Sequence, residues 1–235
     1  SRREPGSFSN AVRTVSRALR ELLGPCRQAL VVGLGNRDIT PDAIGPEAVK
    51  NLIVTRHLQA GPDEALPGLM RVAACQPGVL SQTGIESLEL VKCAMQTAQP
   101  DVVIVIDALA AAEPGRLFRT VQLTDTGIRP GSGVGNHRKG ITAETMHVPV
   151  IAVGIPLVVY ASTIVRDALA DMMQRESGDA QALAEQLTSG YPRDFVVTPR
   201  NIDELVAGLA DLLALAINSA LQTNLEMEEL SHCLH

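Results

Sequence analysis

Apolar residues recur at helical spacing from Asn10 to Leu23, with Val12, Val15, Ala18, Leu19, Leu22 and Leu23 on one side, and Gly24-Pro25 stops the helix. The period then changes. Ala29-Leu30-Val31-Val32-Gly33-Leu34 is apolar at every position, which predicts a strand buried on both faces. Pro46 to His57 returns to helical spacing, with Pro in the first turn and Ala48, Val49, Leu52 and Ile53 on one side. Leu69–Ala74 reads as a second strand and Ile85–Ala98 as a helix. Val102–Ile106, five β-branched residues in a row, is the clearest strand in the chain, and Asp107 stands at its end. Phe118–Leu123 is a weaker strand, and Pro149–Gly154 a further one followed by a helix from Ser162 to about Gln174. Glu176–Tyr191 reads as helix plus loop, Phe195–Val197 as a short strand, and Thr198-Pro199 opens a long helix over Asn201–Gln222.

Strands alternating with helices imply crossover connections and a mostly parallel sheet. The expected fold is a single three-layer α/β domain over residues 1–235, its mostly parallel central sheet flanked by helices. Within it lie an N-terminal helix in residues 1–24, a Gly-rich loop over 124–140 and a C-terminal helix over 199–222. Two readings of the apolar C-terminal helix stand open, burial inside the domain or a subunit interface. In such folds ligands bind where the strands end at their carboxyl side.

Composition narrows the function classes. The 235 residues are 46% hydrophobic and 20% charged, ordinary globular usage, with only five aromatic residues and no Trp. The core must therefore be built from Val, Ile, Leu and Ala. A net charge of −6 argues against nucleic acid as a direct partner, because phosphate binding needs a basic face. The longest apolar run, Val148–Ala161, is 14 residues, too short to span a bilayer, so no membrane is expected. Charged residues occupy the place where a signal peptide needs an apolar stretch. Cys26, Cys75, Cys93 and Cys233 form no CxxC pair, and buried free thiols in a reducing compartment are expected. Together these features read as a soluble cytoplasmic protein. The start at Ser1 suggests a processed or shortened form.

Two carboxylates follow the two most confident strands: Asp42, in the turn Thr40-Pro41-Asp42-Ala43-Ile44-Gly45-Pro46, and Asp107. Strand ends on one sheet rim can bring such side chains together. Two close carboxylates share a proton, so one deprotonates water while the other protonates a carbonyl oxygen or leaving amine. Those are the needs of peptide-bond hydrolysis. Asp42 has a structural alternative, capping the helix that begins at Gly45-Pro46 or closing an Asx turn. Glu86 either caps the helix after it or reaches the site. The stretch Thr124–Gly140 holds five glycines and one proline, and loops of that length in compact domains are usually functional. Its Arg129, His137, Arg138 and Lys139 form a positive cluster on a solvated loop or on a flap over substrate. Asp38 stands where a dinucleotide fingerprint would need glycine, and no G-x-x-x-x-G-K-[ST], H-E-x-x-H or G-x-S-x-G string appears.

The blocks Val31–Leu58 (VVGLGNRDITPDAIGPEAVKNLIVTRHL), Gln76–Ser87, Pro100–Ala111 (PDVVIVIDALAA), Thr124–Lys139 (TDTGIRPGSGVGNHRK) and Val148–Val159 closely resemble the germination protease, or spore protease, family. The resemblance covers roughly 200 of the 235 residues. It implies an atypical aspartic endopeptidase that degrades small acid-soluble spore proteins at germination, acting in the cytoplasm of the forespore or spore core. It places the catalytic aspartates at Asp42 and Asp107. Substrate contacts are expected from Gly35, Asn36, Glu86, Arg129, Gly131, Ser132 and Gly133. It further implies a fold similar to that of hydrogenase-maturation proteases, a zymogen form and a homo-oligomer, a tetramer. No cofactor and no resident metal is expected, although a metal-dependent endopeptidase on the same two carboxylates is an alternative, as is a non-catalytic binding protein. Tyr160 departs from the family pattern, where an Asp is expected.

Overall fold

The computed structural model of the chain describes residues 6–58, 69–129, 140–173, 177–192 and 195–225. Six strands form one sheet: β1 (Gln28–Gly33), β2 (Arg71–Cys75), β3 (Val102–Ala111), β4 (Gln122–Thr124), β5 (Val150–Tyr160) and β6 (Val196–Val197). Their order is β2-β1-β3-β5-β4, with β6 also on β5. The pairs β1–β2, β1–β3 and β3–β5 are parallel, while β4 and β6 join β5 antiparallel. The mostly parallel α/β architecture is therefore the one the alternation of elements predicts.

Eight helices flank the sheet among the described residues: α1 (Ser7–Leu23), α2 (Ile44–Lys50), α3 (Leu80–Thr83), α4 (Ser87–Ala98), α5 (Ala143–Met146), α6 (Ala161–Met173), α7 (Ser177–Leu187) and α8 (Ile202–Leu221). The two faces of the sheet are covered by different helices, which is why its central strands are apolar at every position. On one face Val31, Ile104, Ile106 and Val153 pack with Leu19 of α1, Ala48 and Val49 of α2, and Leu213 and Ile217 of α8. On the other, Leu30, Val32, Val103 and Val105 pack with Leu88 and Val91 of α4 and Met146 of α5.

The helix α8 has the length and apolarity of a membrane-crossing segment, yet Leu212 through Leu221 are buried against α1, α2 and the sheet. Of the two readings of this helix, burial inside the domain is the one observed. Two buried amide side chains at its C-terminal end, Asn218 and the capping Gln222, are bonded. Asn218 accepts the Ile53 N–H and donates to the Asn51 carbonyl, while Gln222 does the same with the N–H and carbonyl of Met70.

Several boundaries differ from the sequence pattern. The helix expected over Pro46–His57 is only Ile44–Lys50, with an isolated 3-10 turn at Arg56–Leu58. The helix expected over Ile85–Ala98 begins at Ser87 as α4, and a separate four-residue α3, Leu80–Thr83, precedes it and ends at Gly84, which turns left-handed (φ 70°). The strands β3 and β5 run several residues past their expected ends, to Ala111 and Tyr160. Pro156 does not interrupt β5. Its missing N–H falls on the side away from β3, and its carbonyl takes the Phe118 N–H. Of the cysteines, Cys26 and Cys75 are half-buried free thiols, but Cys93 is exposed on α4, against the expectation of burial. Cys233 lies outside the described residues.

Candidate active site

The chain leaves β1 toward β2 on one side through α2, then returns through α4 to place β3 on the other side of β1. Because α2 and α4 lie on opposite faces, a crevice opens between the carboxyl ends of β1 and β3. Open α/β sheets bind ligands at such a reversal of strand order. Both candidate aspartates come to this crevice. The last pair of β1 is Gly33 with Ile106, so Asp107 is the first residue of β3 beyond its neighbour's end. The strand does not end there, as expected, but runs on beside β5 to Ala111.

Asp42 is delivered by the β1–α2 connection. Leu34 still donates to the Ile106 carbonyl, 2.8 Å, and then the chain turns through Gly35 at φ +112°. A Cβ there would collide with the Asp42 carbonyl oxygen, so only glycine lets the loop fold back so closely. Gly45, in the first turn of α2, lies equally tight. A Cβ on it would stand 2.6 Å from the Leu34 nitrogen and 2.7 Å from the Ile106 carbonyl oxygen. These two glycines press the start of α2 onto the strand ends and set Asp42, in the 3-10 turn Thr40–Asp42, beside Asp107. Thr40 adds a 2.7 Å bond to Asp203 of α8.

The local alternatives for Asp42 are not what is observed. Its carboxylate does not cap α2, whose N-cap Ala43 receives no side-chain bond. It accepts instead the Asn36 N–H at 2.8 Å, through Oδ2. Burial nonetheless raises its pKa, an effect the Asn36 bond partly opposes. Asp107 is 8% exposed and pushed up to about 7, first by burial and then by the Asp42 charge, with the Ala108 N–H opposing. The asymmetry has a simple cause. Asp42, less buried and holding an amide, ionises first, and Asp107 then meets both the dry interior and its neighbour's charge. Opposite Asp107 in β5 is Gly154, which puts no side chain of its own beside it.

Gly35 and Asn36 both belong to this loop. Asn36 Oδ1 also accepts from Gln82 of α3 at 2.8 Å, and Gln82 reaches Asp38 Oδ2 at 3.1 Å. Gln82 thus ties the α3 loop to the β1–α2 loop, a contact that the spacing of apolar residues does not signal. Glu86 sits directly before α4 on extended backbone, and its side chain does not cap that helix. Arg129 is exposed at the start of the Gly-rich loop, whose two ends are pinned by paired Ile128 and Ile141. Gly131, Ser132 and Gly133, like His137, Arg138 and Lys139, lie outside the described residues.

The family model described as germination protease matches residues 12–182. The chain belongs to the germination protease family. Curated germination proteases are 39% identical to it in Clostridium perfringens, covering 98% of this chain and 77% of that one. In Caldanaerobacter subterraneus the figures are 43%, 88% and 69%, and in Bacillus subtilis 37%, 85% and 67%. Among solved structures, a [NiFe] hydrogenase maturation protease from Thermococcus kodakarensis matches at a TM-score of 0.45 and 14% identity, over 85% of this chain and 98% of that one. Membership makes this protein a peptidase with a role in spore germination.

Among the described residues no group of three His, Cys, Asp or Glu side chains comes together, at this crevice or elsewhere. Two carboxylates, one engaged by a backbone amide, do not make the three-ligand set of a catalytic zinc site or the nitrogen and sulfur donors that later transition metals prefer.

Proposed function

We propose that this family member is an endopeptidase that cleaves small acid-soluble spore proteins during germination in the spore core, using Asp42 and Asp107 to activate water. The observation that carries this reading is the unequal pair at the crevice: Asp107, 8% exposed and pushed up to about 7 by burial and by the Asp42 charge, beside the less buried Asp42, whose carboxylate accepts the Asn36 N–H. A peptide bond asks for both. Asp42 accepts a proton from water as the water oxygen bonds to the scissile carbonyl carbon. Asp107 donates its proton to the carbonyl oxygen as charge develops there. When the tetrahedral intermediate collapses, the C–N bond breaks, the proton held by Asp42 passes to the leaving amine, and one of the intermediate's two hydroxyls returns a proton to Asp107 as the carboxylic acid forms, which restores the starting pair.

The experiment is cleavage of a purified small acid-soluble spore protein by Asp42→Asn and Asp107→Asn. General acid and base groups each contribute on the order of 10²–10⁴ in rate, so each variant should lose at least a hundredfold in kcat. Retained turnover in either variant would remove that residue from the chemistry.

A further inference from the structure

The strand β3 is interior to the sheet, yet among the described residues its last part has no strand neighbour on one side. From Val103 to Ile106 it is paired on both sides, with β1 and β5; from Asp107 to Ala111 its partner among the described residues is β5 alone. The missing neighbour is β1, which turns away after Gly33 to form the Asp42 loop. Backbone groups in a strand point alternately to either side. The Ile106 carbonyl points toward β1, where it accepts from Leu34, so the N–H and carbonyl groups of Ala108 and Ala110 point the same way. The Ala108 N–H is occupied by the Asp107 carboxyl at 3.0 Å. Among the described residues, no backbone partner meets the Ala108 carbonyl or the Ala110 N–H and carbonyl on that side. Ala108, Leu109 and Ala110 are all partly exposed.

Some other lateral positions in this sheet are filled. Beside β2, Thr55 both donates its N–H to the Val72 carbonyl and accepts the Val72 N–H through its hydroxyl. Between β4 and β6, the β5 carbonyls of Pro156 and Leu157 take the Phe118 N–H and the Thr198 hydroxyl. The notch along β3 is different, and it begins one residue from Asp107. Two loops border the crevice where it opens, joined by Gln82, and each carries a large apolar side chain facing solvent: Ile39, 52% exposed, and Ile85, 42% exposed.

We propose that an extended stretch of the polypeptide substrate adds to β3 along Ala108–Ala110, taking the place that β1 vacates, and that this pairing lays the scissile bond across the aspartate pair. The inference rests on the peptidase reading above and names how that site holds its substrate. Strand addition recognises any unfolded chain through its backbone, while apolar side chains can lean on Ile39 and Ile85. A folded domain has no free strand to offer and would be refused.

The test measures binding without chemistry. Overlapping fluorescein-labelled 15-residue peptides covering a small acid-soluble spore protein are titrated with the Asp42→Asn variant, followed by anisotropy. The tightest binder is then resynthesised with one backbone N-methyl group at a time. Strand addition predicts at least tenfold weaker binding at alternate residues of a three- to five-residue stretch and little change at those between. A flat profile, or no binding by any peptide, overturns the proposal. Ala110→Pro removes an N–H from the notch and leaves the β5 side of the ladder intact. It should weaken the same peptide at least tenfold with its far-UV circular dichroism unchanged, and normal affinity in that folded variant would also overturn the proposal. If Ala110→Pro fails to fold, the N-methyl profile decides alone. Cleavage surviving in both Asn variants, with an alternating profile, would refute the catalytic pair and leave the docking mode standing. Loss of cleavage with a flat profile would do the reverse.

Discussion

Replacing Asp107 by Asn should make the protein more stable as well as inactive, and the gain should depend on pH in a defined way. Unfolded, the Asp107 carboxyl titrates near 3.8; folded, it titrates at about 7. Between those values the folded chain holds a proton that the unfolded chain has released. A raised folded pKa favours the native state fully below the unfolded pKa, and the advantage is lost as pH rises through the folded one. Three units at about 1.4 kcal/mol each set the whole change at about 4 kcal/mol. Asn has nearly the shape of the neutral acid, keeps an oxygen for the Ala108 N–H and does not titrate. The variant should therefore match the parent near pH 4, gain on it through pH 7 and stay about 4 kcal/mol ahead at pH 8. At about 2–4 °C per kcal/mol for a chain of this size, that is roughly 8–16 °C in Tm. Urea unfolding of both proteins at half-unit steps from pH 4 to pH 8 reads the difference directly, and titrations common to both largely cancel. A difference that does not change with pH would mean that Asp107 ionises as freely as a surface carboxylate, and the basis for its role as proton donor would be gone.

Four other outcomes follow from the same geometry. The kcat/KM profile should be bell-shaped, falling on the acid side as Asp42 is protonated and on the alkaline side above about 7 as Asp107 loses its proton; a plateau to pH 9 would contradict this. Gly35→Ala should abolish cleavage, because its Cβ meets the Asp42 backbone, whereas Gly84→Ala, at φ +70° with open space around it, should cost only about 1–2 kcal/mol of stability and keep activity. Asn218→Ala should lower stability by about 2–4 kcal/mol by orphaning the Ile53 N–H and Asn51 carbonyl, with cleavage intact at low temperature. Dialysis against EDTA, with metal content read by mass spectrometry before and after, should leave activity unchanged; loss on chelation restored by one added metal would overturn the two-carboxylate mechanism.

Several features were legible in the order of residues alone. Runs such as Ala29–Leu34 and Val102–Ile106 are apolar at every position because both faces of their strands are covered, and that requirement acts residue by residue. Asp107 stood out because it ends such a run with a charge that is costly to bury, and Asp42 because it lies in the turn that follows the first strand. The lengths of β3 and β5 were not legible. Asp107-Ala-Leu-Ala-Ala and Gly154-Ile-Pro156 carry weak strand preferences, and those segments are extended because they pair with each other. The same holds for α2, which stops at Lys50 although its apolar spacing continues.

What the sequence determined by itself is the main strands and longer helices, the two-sided burial of the central strands and two acids as candidates, since these follow from the chemistry of neighbouring residues. What only the tertiary structure decided is that residues 65 positions apart share one crevice and that one of them keeps its proton there. The first depends on β3 being placed across β1 from β2, a choice between two sides of a strand that crossover spacing does not encode. The second depends on how much water is excluded when α2 closes on the strand ends, a property of packed surfaces and not of any local string of residues.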